Sequence, residues 1–337
     1  MKFISNRSSD IYFIAEFNTS HFGDLALAKK MIDNAKDIGV NCVKFQSWSS
    51  TSLYSQSYYS QNPMAKRFVK KYELSEDELL ELSDYCQTVN IDFLSTPYSV
   101  NEAEFLLDTC KAGAIKIASM EINNLEYLKV IASKNTQIFL STGMASLEEI
   151  RDAVNVILSN GSSKLCIFHC ISQYPTDLCD ANILNVKMLK DEFPEVEIGY
   201  SDHTLGNEAA MAAVALGATV IERHFTLDSK RIGMDNNMAT EPKEFGELIT
   251  YCKNIKQALG NYNRTVSDEE FAQRSNMRRS VVYARDLSSG HIMTPADICV
   301  KRPGTGILPT DASSVLGRKL CKDVTGDTLA MWDDFEN

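Results

Sequence analysis

Eight short apolar runs punctuate the chain between residues 11 and 225, and every one of them ends on polar side chains. They are IYFIAE (11–16), NCVKFQ (41–46), IDFLST (91–96), AIKIAS (114–119), QIFLST (137–142), KLCIFHC (164–170), VEIGYS (196–201) and ATVIERHF (218–225). Runs this short, rich in β-branched and aromatic residues, predict strands buried on both faces. The segments between them carry helical spacing. After Gly23, residues Leu27, Met31, Ile32, Ala35 and Ile38 share one face, whereas Lys29, Lys30, Lys36 and Asp37 fall elsewhere. Segments 207–216 and 245–259 repeat the pattern, and Gly39, Gly217 and Gly260 stand where such helices close. Alternation through eight cycles predicts an α/β fold of parallel strands with right-handed crossovers. Closure into a (β/α)8 TIM barrel accounts for the number better than an open sheet.

The rhythm stops near Gly260. Residues 261–280 are polar and read as a linker with at most one short helix, and the remainder shows short strands separated by Gly, Pro, Ser and Asp turns. The expected division is a barrel over 1–262, a linker over 263–280 and a small β-rich module over 281–337. A module that small is marginal alone, so docking on a barrel is expected.

Composition narrows the function. At 337 residues, with 44% hydrophobic and 23% charged positions, the chain can bury a large core. A formal net charge of −11 argues against a nucleic-acid or anionic-membrane surface, so an anionic ligand must be held by a few local cations and N–H groups. The start, MKFISNRSSD, has no apolar signal-peptide core, and no run is long enough to span a bilayer. Nine cysteines without a CxxC pair, several inside strand-like runs, predict reduced thiols in a cytoplasmic protein.

In a barrel the chemistry lies at the C-terminal strand ends. Here those ends carry Glu16, Lys44, Gln46, Ser95, Thr96, Lys116, Ser119, Glu121, Ser141, Thr142, His169, Ser172, Tyr174, Ser201, Asp202, His203, Glu222 and His224. Solvation alone does not require lysines and histidines there. Lys44 and Lys116 interrupt apolar strands, which is costly unless an anion pairs with them. Either a nearby glutamate does so, or they clamp a phosphate or carboxylate with help from the Ser and Thr hydroxyls. Ser141-Thr142-Gly143 also leads into a helix at Ser146, whose first N–H groups would favour an anion. His203 and His224 end adjacent runs and can share a divalent metal, with Zn, Mn, Mg and Fe all open. His169, earlier in its strand, reads as a core histidine or a support for other groups, and His21 as either a site member or a surface residue. Asp235, in GMDNNMA, is a candidate polar contact or a plain turn aspartate, and KRPGTG (301–306) reads as a surface turn.

The order of IAEFNTSHFG, VKFQ, FLSTPY, IKIAS, IFLSTGM, HCISQYPT, GYSDHT, GATVIERHFTLD and VKRPGTG resembles the sialic acid synthase family across residues 11 to 335. The C-terminal module is similar to that family's antifreeze-like (SAF) domain. The resemblance implies condensation of phosphoenolpyruvate with an N-acylated mannosamine-type sugar, and a divalent metal, Mn2+ or Mg2+, on His203 and His224. It implies that Lys44, Thr96, Lys116, Ser119, Ser141 and Ser172 hold phosphoenolpyruvate. Glu16 matches a catalytic carboxylate; Gln46, Glu121, Tyr174 and Asp235 match acceptor-sugar contacts, with Asp235 also a candidate for the catalytic set. Arg302 matches an arginine delivered by the other subunit of a domain-swapped homodimer, which replaces the surface-turn reading of KRPGTG.

The first loop departs from the family pattern. Asn18-Thr19-Ser20-His21-Phe22-Gly23 stands where Gly-Val-Asn-His-Asn-Gly is usual, and a Ser- and Tyr-rich stretch follows Gln46. An apolar Phe22 and those tyrosines would suit a 2,4-diacetamido-6-deoxy acceptor, the precursor of legionaminic acid, alongside N-acetylmannosamine itself. The rivals are a pseudaminic acid synthase, a synthase of seven- or eight-carbon keto-acids and, outside enzymes, a non-catalytic carbohydrate-binding protein. A second phosphate on the acceptor would want a further basic cluster, and none is seen.

Overall fold

Alternation along each strand decides what the barrel encloses. The computed structural model describes residues 10–162 and 164–336. Eight parallel strands lie in the order β3-β2-β1-β8-β7-β6-β5-β4. They are β1 (Tyr12–Glu16), β2 (Cys42–Gln46), β3 (Asp92–Thr96), β4 (Ala114–Ile117), β5 (Gln137–Ser141), β6 (Leu165–Cys170), β7 (Glu197–Asp202) and β8 (Val220–His224). Each falls inside or on the run the sequence predicts, so the parallel α/β barrel is borne out. The ring is nearly closed: β3 and β4 pack side by side but share no ladder.

One parity of the strands fills the interior. Tyr12, Ile14, Cys42, Leu94, Ala114, Phe139, Cys166, Phe168 and Val220 form a separate apolar cluster there. Two residues further along the same strands come Glu16, Lys44, Thr96, Lys116, Ser141, Cys170 and Glu222, on the same side because side chains alternate with period two. The apolar cluster is thus the floor and the polar set the ceiling. Gly199 of β7 has no side chain because Phe168 occupies its space: a Cβ there would sit 2.7 Å from the Phe168 ring. The other parity, including Phe13, Val43, Phe93, Ile115, Ile138, Ile167 and Ile221, meets the surrounding helices in the main core.

The helices follow the spacing argument. Asp24 caps Leu25–Asp37, which buries Ala28, Met31, Ile32 and Ala35. The segments expected near 207–216 and 245–259 appear as Glu208–Ala215 and Pro242–Leu259. Unforeseen are the helices Gln56–Gln61 and Pro63–Tyr72 in the Ser- and Tyr-rich stretch. Trp48, Tyr59, Val69 and Tyr72 form their own small cluster there, with Phe22 and Tyr98 packed against it. No described helix is long and apolar enough to cross a membrane.

The chain divides into two compact units between Gly260 and Asn261. The polar stretch read as a linker therefore sits with the second unit. It contains a ten-residue helix, Asp268–Met277, that buries none of its residues, which is why no apolar period announced it. Gly304 N–H donates to Ser275 O at 2.8 Å, and a Cβ on Gly304 would stand 2.6 Å from Arg274 O, so this glycine permits the approach. Strands β9 (Ser280–Tyr283) and β10 (Ile298–Lys301) pair antiparallel over a core of Val281, Tyr283, Leu287, Met293, Ile307, Val315 and Leu320. Buried Asp297 ties this unit together, accepting from Thr294, Arg285 and His291.

Candidate active site

Two lysines share one buried ceiling with two carboxylates. Lys44 Nζ lies 2.7 Å from Glu16 Oε2 and 3.2 Å from Glu222 Oε1, and Lys116 Nζ lies 3.7 Å from the same Glu222 oxygen. Their parity forces the meeting: β2 and β8 flank β1, and all four side chains point inward. Both lysines are therefore ion-paired with nearby glutamates. Burial works against Glu222 ionising, but Lys116 and Lys44 overcome it and take the carboxyl down to about 2. Glu16 moves the other way, its carboxyl raised chiefly by burial against the pull of Lys44. Burial alone would lower Lys44; Glu16 and Glu222 reverse that and hold its ammonium above the usual range. Lys116, with weaker pairing, is lowered by burial.

Around the lysines stand hydroxyls. Lys116 donates to Ser141 Oγ, and Ser201 Oγ donates to Glu222 Oε1 at 3.1 Å. Thr96 Oγ1 and Glu222 Oε2 are buried without a hydrogen-bond partner among the described residues. Gly143 N–H donates to Ser119 Oγ at 3.0 Å. A Cβ on Gly143 would overlap Ser172 Oγ and sit 2.8 Å from Ser119 Oγ. Ser119, Gly143 and Ser172, from three successive loops, thus crowd together in one cluster. The helix Leu147–Ser159 beyond it opens on a capping box, in which Glu149 N–H donates to Ser146 Oγ at 3.3 Å and Ser146 N–H donates to Glu149 Oε2 at 2.8 Å.

The other side of the mouth holds imidazoles. The His203 and His224 rings are 5.4 Å apart, and Tyr174 lies 4.2 Å from His203 and 5.8 Å from His224. His203 Nδ1 is 2.7 Å from Ile171 O, which places a proton there, and the Cys170 thiol is a second hydrogen-bond partner of the ring. Burial works against a charge on His203, but Cys170 overcomes it and raises the ring above its usual range. Burial, then His203 and Lys44, hold His224 well below its usual range. The two rings stand close enough to share a cation. No group of three or more His, Cys, Asp or Glu suited to a metal occurs among the described residues, so such a site would leave its remaining positions to water and ligand. His169 bonds Ala181 O at 2.8 Å and stacks on Tyr200 in the core.

The remaining candidates ring the rim. Asn18 donates its side-chain N–H to Asp235 Oδ2, joining the first and last loops. His21 is buried rather than on the surface: its Nδ1 accepts from Gly23 N–H at 3.1 Å, and burial lowers it to about 4. Phe22 is not free to line the mouth, because Arg231 stacks on it at 3.6 Å and Tyr72 packs beside it. Glu121 bonds Asn124 at 3.0 Å on the short turn after β4. Arg302 lies exposed on the second unit, just after β10.

Three groups escaped sequence reasoning. Glu222 is the hub of the charge cluster, a role its parity with His224 could have signalled. Tyr98 O–H donates to Gln46 Oε1 at 2.9 Å, and nothing in FLSTPY announces that. Arg223 donates to Thr204 O at 2.8 Å and to Asn207 Oδ1 at 3.0 Å, while Asp202 Oδ1 accepts from Thr204 N–H at 2.8 Å. Asp202 and Arg223 together clamp the loop that presents His203.

A barrel that keeps two buried lysines against two buried carboxylates at its strand ends is built as an enzyme, since an inert scaffold gains nothing from burying them. The chain belongs to the NeuB family, which matches over residues 31–264, and residues 278–336 match the SAF domain. It is 38% identical to an N,N'-diacetyllegionaminic acid synthase of Campylobacter jejuni, over 94% of this chain and 97% of that one. A pseudaminic acid synthase of the same species is 31% identical, over 97% of this chain and 98% of that one. Among solved structures, an N-acetylneuraminic acid (sialic acid) synthetase of Leptospira borgpetersenii in complex with citrate aligns with a TM-score of 0.73 and 36% identity. That match covers 78% of this chain and 90% of the other.

Proposed function

We propose that this enzyme is a nonulosonate synthase that joins phosphoenolpyruvate to an N-acylated mannosamine-type sugar, releasing phosphate by C–O cleavage. The observation that carries the reading is the pair of buried lysines, of which Lys116 donates to Ser141, two residues before Gly143 of the Ser119–Gly143–Ser172 cluster; together they suit the two ends of a small phosphate-bearing carboxylate. In it Lys44 and Lys116 neutralise the donor's carboxylate and phosphate, with Thr96, Ser119, Ser141 and Ser172 as hydroxyl donors. The donor's C3 forms a bond to the aldehyde carbon of the open-chain sugar, and positive charge develops at C2. Water adds at C2, its proton passing to Glu16 Oε and on to the new C–O⁻. The C2 hydroxyl then loses its proton as the C2–O bond to phosphate breaks, leaving a 2-keto acid and inorganic phosphate. Gln46, Glu121, Tyr174 and Asp235 are the acceptor contacts. His203 and His224 would hold Mn2+ or Mg2+, which when bound polarises the aldehyde oxygen.

A 2,4-diacetamido-6-deoxy acceptor, the legionaminic precursor, is favoured over the pseudaminic one by the higher identity to the legionaminic enzyme of the same Campylobacter. N-acetylmannosamine stays in the same reading. Phe22 no longer supports the deoxy sugar, since Arg231 and Tyr72 occupy its faces. We further propose a domain-swapped homodimer in which a second copy lays its C-terminal unit, with Arg302, over the mouth. Supporting this, the loops after β5, β6, β7 and β8 expose Met144 (73%), Leu178 (57%), Leu205 (58%) and Ile232 (96%), a crown of apolar groups that a second copy would cover. Free thiols at all nine cysteines agree with a cytoplasmic site of action.

The test is phosphate release from phosphoenolpyruvate, with Mn2+, across a panel of acylated hexosamines, followed by product mass and configuration. A nine-carbon keto-acid with the legionaminic configuration supports the whole reading. The pseudaminic configuration replaces the acceptor, and sugar binding without phosphate release in any pairing leaves a carbohydrate-binding protein instead.

A further inference from the structure

Glu16 is held by a chain of hydrogen bonds that begins outside the residues assigned so far. Its Oε1 accepts from Gln46 Nε2 at 2.9 Å and from Asn18 N–H at 2.8 Å. Gln46 Oε1 in turn accepts from Tyr98 O–H at 2.9 Å. A carboxamide can turn over, exchanging its donor and acceptor ends. Against ionised Glu16, an acceptor only, just one orientation is favourable, and it leaves the Gln46 carbonyl needing a donor. Tyr98 supplies it. The tyrosine is itself fixed: Glu102 Oε2 accepts its backbone N–H at 2.7 Å, and the Trp48 ring lies 6.0 Å from its own.

We infer that Tyr98 is a positioning residue for the acceptor half of the reaction, its hydroxyl locking the Gln46 carboxamide so that one N–H faces Glu16 and the other is kept for an oxygen of the sugar. This rests on the function proposed above. With the Gln46 orientation fixed, the site offers the sugar a donor rather than an acceptor, and so selects a hydroxyl lone pair or an acyl carbonyl at that point. Phosphoenolpyruvate, gripped by the lysines, does not depend on it.

The experiment is a double-mutant cycle of Tyr98→Phe and Gln46→Ala, read as kcat and KM for each substrate. Tyr98→Phe removes one oxygen and keeps the ring against Trp48. It should lower kcat/KM for the sugar roughly tenfold, the worth of one net hydrogen bond, and leave KM for phosphoenolpyruvate unchanged. In the Gln46→Ala background the same change should cost less than about twofold, because its object is gone. An equal tenfold loss in both backgrounds, a wild-type value in Tyr98→Phe, or a loss confined to phosphoenolpyruvate would each overturn the inference. Should Tyr98→Phe melt lower, the cycle is run below both melting points. The side-chain 15N–1H pair of Gln46, assigned by its disappearance in Gln46→Ala, reads the lock without turnover. Two sharp, separate protons in the wild type that broaden in Tyr98→Phe support it; identical signals in the two proteins refute it. A wild type with no turnover but a locked amide would sink the proposed reaction alone.

Discussion

Gly143→Ala adds a single methyl to the Ser119–Gly143–Ser172 cluster, which the proposed reaction assigns to the phosphate. Gly143 does not have the left-handed backbone that only glycine tolerates, so the strain comes from its neighbours. The new Cβ would overlap Ser172 Oγ and stand 2.8 Å from Ser119 Oγ, well inside ordinary contact. The hydroxyls must rotate away, and at least one ceases to face the ligand. A hydrogen bond to a charged group contributes about 1.5–3 kcal/mol net, so losing one weakens phosphoenolpyruvate binding roughly 10- to 150-fold. Calorimetric titration of phosphoenolpyruvate into the wild type and Gly143→Ala measures this directly, with Ser119→Ala as the comparison that removes a hydroxyl without adding bulk. Both variants should lose affinity, keep their melting temperatures within a few degrees and leave the KM for the sugar alone. Unchanged phosphoenolpyruvate affinity in Gly143→Ala would show that this cluster is not the phosphate seat.

Glu16→Gln keeps the shape of the ceiling and leaves Lys44 paired with Glu222, so it should fold and bind phosphoenolpyruvate while turnover falls by about 10³-fold or more; near-normal turnover removes Glu16 from the mechanism. Glu222→Gln strips both lysines of a shared partner and should destabilise the protein by about 3–5 kcal/mol in urea unfolding. Because Glu222 is depressed to about 2 from 4.5, its stabilisation is complete above pH 4.5 and fades as pH falls toward 2. The gap between wild type and Glu222→Gln should close over that window, and a gap constant with pH would contradict the charge argument. Finally, mixing Glu16→Gln with Arg302→Ala chains tests the swapped dimer. Redistributed subunits should regain about a quarter of wild-type sites, since half the dimers hold one complete site of two; no recovery after verified exchange places Arg302 in its own chain's site or in none.

The barrel was legible because parallel strands are covered on both faces and so read as unbroken apolar runs, each stopping where a polar residue must face the mouth. Lys44 and Lys116 stood out for the same reason, as charges inside VKF and IKI. What they touch was not legible: only the closing of the ring brings β8 beside β1 and sets Glu222 against both. The helix Pro63–Tyr72 was missed although Ala65, Phe68, Val69 and Tyr72 recur at helical spacing, because the Ser- and Tyr-rich stretch around it reads as loop. The start of the helix at Ser146 was legible too, since S-x-x-E at 146–149 spells a capping box. Tyr98 and Arg223 act through partners distant in the chain, and spacing carries no trace of such pairs.

The ceiling of the barrel is electrically closed, two lysines against two glutamates. On the function proposed above, that closure is also a timing device. While Lys44 holds Glu16 at 2.7 Å, the carboxylate is engaged and a poor acceptor of a proton from water. An arriving dianion competes for Lys44, and Glu16 becomes more basic to the degree that the lysine turns toward the newcomer. Water would then be activated in the loaded enzyme and left alone in the idle one. The consequence is an order of events: the phosphate-bearing substrate enters first, and its own charge arms the base that later hydrates it.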